Sequence, residues 1–244
     1  MTSKKVKLGL ILICAIPLIL YTSNASLWQS EITTFHPDRI RFIDQVGDNL
    51  LYRGNVPIIE QRFALADLVS SMLSRTSRKS PLNPETKALT TLPDRYYLVD
   101  FSLLNNFGAE GAASRIEAQY FVDNPTGELI HYQLYKRLFK GIVLRDVGRR
   151  YDEVVTDLRQ QLLSTSDSPR IIYLHCKAGL DRTGSITAGY AMKYLGYSYK
   201  DAMAINLNQG LSRAPDYYSS LGIKHYARYL KDIAGIKTIG DVAD

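Results

Sequence analysis

The chain has 244 residues, 45% of them hydrophobic, and a formal charge of +6. That apolar share is ordinary for a globular protein, and the absence of internal repeats or low-complexity tracts sets aside solenoids and disordered arrays. The charge is modest and no stretch resembles a nucleic-acid-binding module, so no nucleic-acid partner is expected.

At the N-terminus, Lys4, Lys5 and Lys7 precede an apolar run from Leu8 to Tyr21, and Thr22-Ser23-Asn24-Ala25 follow. The run is shorter than the roughly 20 residues a spanning helix needs, and small residues stand where a signal peptidase would cut. Residues 1–25 therefore read as a signal peptide cleaved after Ala25, with export to a periplasm or medium; an uncleaved membrane anchor is the alternative. Residues 26–244 then form a single domain, a length that suits one α/β core. Losing the three lysines lowers the charge from +6 to +3. Cys14 would leave with the peptide, so Cys176 would be the one thiol and no intramolecular disulfide could form.

Glu31 to Asp48 is a mixed entry segment, and Asn49-Leu50-Leu51-Tyr52-Arg53-Gly54 reads as a short edge strand. Ile58 to Leu73 has helical periodicity. Ser74 to Pro93, with Pro81, Pro84 and Pro93, reads as a loop or linker. Arg95 to Leu103 is a core strand, Gly108 to Tyr120 includes a short helix, and Asn124-Pro125-Thr126-Gly127 is a turn signal. Leu129 to Leu144 suits another strand, and Tyr151 to Leu163 is an amphipathic helix through Val154, Val155, Leu158 and Leu162. Ser198-Tyr199-Lys200-Asp201 has capping-box spacing before Ala202 to Leu207, and the Tyr-rich last forty residues look helical. Strands alternating with helices predict an α/β fold, a mixed and mostly parallel sheet flanked by helices. Arg75, Arg78 and Lys79, and Arg145, Arg149 and Arg150, could attract an anionic substrate or a membrane surface, or simply be a solvated face.

The densest chemistry lies in His175-Cys176-Lys177-Ala178-Gly179-Leu180-Asp181-Arg182-Thr183-Gly184. The apolar run Ile171-Ile172-Tyr173-Leu174 precedes it and a helix-compatible stretch from Gly184 to Leu195 follows. Strand, tight loop and helix N-terminus in that order make a phosphate cradle, because successive free amides point at the loop's centre. The same amides and the helix dipole favour a thiolate at Cys176, the form that acts as a nucleophile. Arg182 offers a planar fork to two phosphoryl oxygens. Gly179 permits the tight turn, and Thr183 can donate its hydroxyl to the sulfur. The phosphate would rest on Lys177, Ala178, Gly179, Leu180, Asp181 and Arg182. His175 reads as structural, bonding loop carbonyls. His36, His131 and His225 have no metal-like spacing, and no metal or cofactor is expected.

This decapeptide resembles the phosphate-binding loop of the cysteine-dependent phosphatases, the protein-tyrosine and dual-specificity superfamily. Its Lys-Ala-Gly portion is similar to lipid phosphatases acting on phosphoinositides. Its Gly-x-Asp-Arg-Thr portion resembles bacterial tyrosine and phosphoinositide phosphatases and myotubularin-type enzymes. The resemblance is strong over Tyr151 to Leu211, weaker over Leu50 to Asp146, and includes the Leu-Tyr-Arg strand. It implies a phosphatase-like fold and a phosphocysteine mechanism, in which Cys176 attacks phosphorus and water then hydrolyses the thiophosphate. It also implies a phosphorylated protein or phosphoinositide as substrate.

A general acid must protonate the leaving oxygen. The resemblance points to Asp146, about thirty residues before the nucleophile, although Arg145-Asp146-Val147-Gly148 lacks the Trp-Pro-Asp triplet of tyrosine phosphatases. It also points to Asp181, inside the loop, which is slightly favoured; Asp152 is a third candidate. Their bland readings are a helix N-terminal charge for Asp146 and a salt bridge orienting Arg182 for Asp181. Lys177 suits a substrate with extra phosphates, such as an inositol polyphosphate, or is a surface lysine paired with an acid. A phosphate-binding module without turnover is the rival class. Rhodanese-type sulfur transfer is disfavoured by five, rather than four, residues between Cys176 and Arg182.

Overall fold

The computed structural model describes residues 35–134 and 144–242. Residues 1–25, read from the sequence as a signal peptide, and with them Cys14, lie outside the described residues. Among the described residues no helix is long and apolar enough to cross a membrane. In chain order the strands are β1 (Arg41–Val46), β2 (Asn49–Asn55), β3 (Ile58–Ile59), β4 (Arg62–Phe63), β5 (Tyr97–Ser102), β6 (Gly127–His131) and β7 (Arg170–Cys176). The helices are α1 (Leu65–Thr76), α2 (Gly108–Asp123), α3 (Leu144–Leu163), α4 (Arg182–Tyr194), α5 (Tyr199–Met203), α6 (Ile205–Asn208) and α7 (Tyr217–Asp232).

Five of these strands form one sheet in the order β1-β2-β7-β5-β6. β1 is antiparallel to β2, while β2, β7, β5 and β6 are parallel. The sheet is thus mixed and mostly parallel, with helices on both faces. Alternation along each strand sorts the side chains. Leu51, Val99, Phe101, Ile172 and Leu174 pack against Val154 and Val155 of α3, Ile186 of α4 and Tyr226 and Leu230 of α7. Leu50, Tyr52, Leu98, Ile171 and Tyr173 face the other way, onto Leu68 and Met72 of α1 and beside Phe121 of α2. Burial on both faces is why Ile171 to Leu174 reads as an unbroken apolar run.

The register pairs Asn55 with Cys176 and Ser102 with His175, so β2, β7 and β5 end together. Ligands of open parallel sheets gather outside that carboxyl edge.

Several boundaries differ from the sequence reading. The strand at Asn49 is interior rather than an edge, because β1, folded from the entry segment, pairs with its outer side. The helix expected from Ile58 begins at Leu65. Ile58 and Ile59 instead pair with Phe63 and Arg62 in a short hairpin. The strand expected over Leu129 to Leu144 is β6, ending at His131; residues 135–143 lie outside the described ones, and Leu144 already belongs to α3. The segment after α1 is irregular yet tied down, with Ser80 Oγ donating to the Ile43 carbonyl at 2.6 Å and Asn83 Nδ2 donating to Asp44 Oδ1 at 2.6 Å. Ser198 caps α5 as its spacing predicts, accepting from the Asp201 amide at 3.2 Å.

The β3–β4 turn puts Glu60 and Gln61 at φ 47 and 60, a left-handed conformation that costs an L residue about 1 kcal/mol or more. Gln61 is exposed, so little packing is at stake. Gln61→Gly should raise stability by about 1 kcal/mol in urea unfolding; a lower midpoint would show that the native side chain earns its place there.

Candidate active site

β7 carries His175 and Cys176 to the carboxyl edge of the sheet, and α4 starts at Arg182, so the intervening residues must curl within a few ångströms. Gly179 makes the curl possible. It sits at φ +70, and a Cβ there would lie 2.6 Å from the Gly54 carbonyl oxygen. Only glycine allows the loop to rest this closely on β2.

Three successive loop carbonyls are drawn to neighbouring side chains. Ala178 O accepts from Arg39 Nη1 at 2.9 Å, Gly179 O from Arg53 Nη2 at 2.6 Å and Leu180 O from Asn206 Nδ2 at 2.9 Å. Carbonyls pulled outward turn their peptide N–H groups inward, which is the geometry of an anion nest. Arg53 is fully buried on β2 and also donates to Asn206 Oδ1 at 2.8 Å. Burial pushes its guanidinium down to about 9, opposed by the negative charge of Cys176.

Cys176 is buried, with 1% of its surface exposed. Burial opposes its ionisation. The Arg182 charge, the Thr183 hydroxyl and the amides of Thr183 and Gly179 outweigh that, so the thiol ionises below its usual range.

Arg182 is held from outside the loop. Its Nη1 and Nη2 meet Glu110 Oε2 and Oε1 at 2.7 and 2.6 Å, and Nη1 also donates to Leu103 O at 2.6 Å. Glu110 in turn accepts from the Asn105 amide at 2.8 Å. Burial alone would lift the Glu110 carboxyl, but Arg182 above all holds it down, with help from Asn105 and Lys177. A bidentate pair of this kind fixes the plane of the guanidinium. Lys177 and Ala178 are half-buried and Leu180 is buried beneath the loop.

Asp181 pairs with Arg213, and its charge also acts on Arg182. Its Oδ1 and Oδ2 accept from Arg213 Nη1 and Nη2 at 2.6 and 2.9 Å, and Oδ1 accepts from the Asp216 amide at 2.9 Å. To carry and release a proton, Asp181 would have to give up that pair. Asp152 receives Lys193 Nζ at 2.6 Å and the Tyr226 hydroxyl at 2.9 Å, and so clips α3 to α4 and α7. Asp146 falls in the first turn of α3.

His175 departs from expectation, because its side chain reaches carboxylates rather than loop carbonyls. Nε2 lies 2.8 Å from Asp100 Oδ1 and 3.5 Å from Glu117 Oε1, all three residues being fully buried. Burial would lower its pKa, but the two carboxylates outweigh it and raise it to about 9. Donor atoms of the three lie within 4.8 Å of one another, a spacing compatible with a cation. The imidazole and Asp100, 2.8 Å apart as an ion pair, account for that closeness.

Glu110, Arg39, Arg53, Asn206, Arg213, Asp100 and Glu117 were not foreseen. Their partners lie far off in the chain, and only an acid opening a predicted helix before an orphan arginine hinted at Glu110.

The sequence matches no family model, and no curated protein matches it. Among solved structures it is similar to the core catalytic domain of PP-IP phosphatase SIW14 from S. cerevisiae, at 17% identity and a TM-score of 0.40, covering 80% of this chain and 90% of that one. It is also similar to P. aeruginosa TpbA, at 15% identity and a TM-score of 0.40, covering 84% and 98%. A third is a Leishmania major chain titled as a protein tyrosine phosphatase, at 15% identity and a TM-score of 0.40, covering 76% and 97%.

Proposed function

We propose that this chain is a cysteine-dependent phosphomonoesterase. One observation carries the reading: three consecutive loop carbonyls are tied away from a buried, easily ionised Cys176, opposite an Arg182 fixed by Glu110. A phosphoryl group seated on the inward amides would meet the sulfur in line. The Cys176 thiolate forms the P–S bond as the P–O bond breaks, and a carboxylic acid gives its proton to the departing oxygen. Water then attacks phosphorus, returning a proton to the same carboxylate, and the P–S bond breaks as the thiolate leaves, steadied by Thr183 and the loop amides. Arg182 holds the equatorial oxygens throughout both steps.

The substrate we favour is a phosphotyrosine protein or a phosphoinositide. Lys177, a cation close enough to act on Glu110, also suits an inositol polyphosphate. For the acid, Asp146 and Asp181 are the two candidates, and the Arg213 pair counts against Asp181.

Phosphate release from an aryl phosphate by the purified residues 26–244 should vanish in Cys176→Ser. Full activity in that variant would remove the proposed nucleophile, and binding of phosphate without turnover by the wild type would leave a phosphate-binding module. Across phosphotyrosine peptides, phosphoinositides and inositol hexakisphosphate, Lys177→Ala should hurt the polyphosphates most. Equal losses would remove the lysine's role in choosing substrate.

A further inference from the structure

Two carboxylates converge on one ring nitrogen in the buried interior. Asp100 comes from β5 and Glu117 from α2, and His175, the residue before the nucleophile, lies between them with no exposed surface on any of the three. Two ionised carboxylates and one imidazolium would leave a net buried negative charge, which low dielectric penalises heavily. A proton on one carboxylate restores neutrality. Asp100, at 2.8 Å, is the close partner of the ring and Glu117, at 3.5 Å, the distant one, so the proton belongs on Glu117.

The placement ties this cluster to the phosphate loop. Glu110 and Glu117 are seven residues apart on α2, two helical turns, and so share a face. Glu110 clamps Arg182 at the loop's far end, while Glu117 reaches the residue before its near end. On the sheet side, Asp100 and Ser102 of β5 pair in register with Tyr173 and His175 of β7. The Tyr173 ring stacks on the imidazole at 5.5 Å, sealing it.

We infer that Asp100 and Glu117 are positioning residues for Cys176, together holding His175 as a permanent imidazolium whose charge favours the thiolate, with the proton of the carboxylate pair on Glu117. This rests on the reading of Cys176 as the nucleophile. The charged and titratable groups acting on the cluster are Cys176 and Tyr173 on β7 and Glu110 on α2, with the Ser102 hydroxyl beside Glu117, while Arg53 on β2 acts on Tyr173 and Arg182 on α4 acts on Cys176. Burial raises the Glu117 carboxyl to about 8 and Asp100 adds to it, while His175 opposes, in keeping with the same assignment.

The two carboxylates also back each other up. If Asp100 is removed, Glu117 can ionise and keep the ring charged, and only the double loss discharges it. The thiolate's ultraviolet absorbance, titrated against pH with Cys176→Ser as blank, reads this without any turnover. Glu117→Gln, an isostere of the protonated acid, should leave the Cys176 midpoint where it is. Asp100→Asn should raise it slightly. The double variant should raise it by about one pH unit, a tenfold loss of thiolate at a given pH below the midpoint, and by more than the two single shifts together. An unmoved midpoint in the double variant, or a Glu117→Gln shift as large as that of Asp100→Asn, would overturn the assignment. Histidine side-chain NMR of the wild type provides a check that needs no variant: one ring should stay an imidazolium across the neutral range, and four rings titrating normally would refute it. Should Cys176→Ser still release phosphate, the phosphatase reading fails while these titrations keep their meaning.

Discussion

Arg53→Met should lower kcat/KM for phosphate release about a hundredfold, although Arg53 lies beneath the loop and not among the groups assigned to the phosphate. Its guanidinium is buried on β2 and pulls the Gly179 carbonyl outward at 2.6 Å. It also spans to Asn206, which holds the Leu180 carbonyl. Methionine fills a similar volume but donates nothing, so the Gly179 oxygen and Asn206 Oδ1 lose a donor in a place where water cannot replace it. Each such loss costs roughly 1–3 kcal/mol. The peptide joining Gly179 to Leu180 is then free to rotate, taking the Leu180 N–H out of the nest, and the Arg53 charge that interacts with the Cys176 thiolate is gone as well. Nucleophile and anion nest should therefore fail together, with the thiolate titration moving up as the rate falls. Arg39→Met is the matched control. Arg39 donates to the next carbonyl, Ala178, at 2.9 Å, but it is only partly buried, so water can take over the bond. Its loss should cost less than about tenfold. Equal losses in the two variants, with circular dichroism showing both folded, would show that the outward pull on the carbonyls does not order the loop.

The contrast between these arginines marks what sequence can and cannot reveal. The strand, the Gly179 turn and the helix start between His175 and Gly184 were readable because they are consecutive, while the distant partners of His175 and Asp181 were not. The mostly parallel sheet was readable from apolar runs set between helical periods. Arg53 sits 126 residues from the carbonyl it holds, and Glu110 sits 72 from Arg182, so no periodicity connects either pair. Glu117 is hidden more deeply still, since α2 has a weak apolar stripe and a glutamate there looks solvated. Only the fold shows that this face meets β5 and β7. The β3–β4 hairpin misled for another reason: Ile58, Ile59 and Phe63 fit a helical period and a hairpin alike, and the left-handed Glu60-Gln61 turn that decides between them uses residues carrying no turn signal.

Stability should fall as pH rises from about 4.5 to about 9, and Glu117→Gln should remove a large part of the fall. A carboxyl held protonated in the fold but ionised in the unfolded chain favours folding most below its unfolded pKa, and loses that advantage as pH climbs through its folded pKa. Glu117 is such a group, moving from an ordinary 4.5 up to about 8 because burial penalises its charged form. His175 adds a contribution of the same sign over its own window, from 6.5 to about 9, because the carboxylates around it outweigh the burial that would lower it. Glu110, whose carboxyl is lowered against its burial by Arg182, works in the opposite sense and is lost only on acidification. The difference between variant and wild type isolates Glu117 from these others to first order. Near pH 4.5 the two proteins should unfold at similar urea concentrations, since glutamine and a protonated glutamate occupy the site alike. By about pH 8 the variant should be the more stable by about 4 kcal/mol, a substantial share of a typical domain's total. A variant that instead loses ground to wild type with rising pH would mean that Glu117 is ionised in the fold. The imidazolium would then be shared by two charged carboxylates, and the proton assigned to this cluster would have to sit elsewhere.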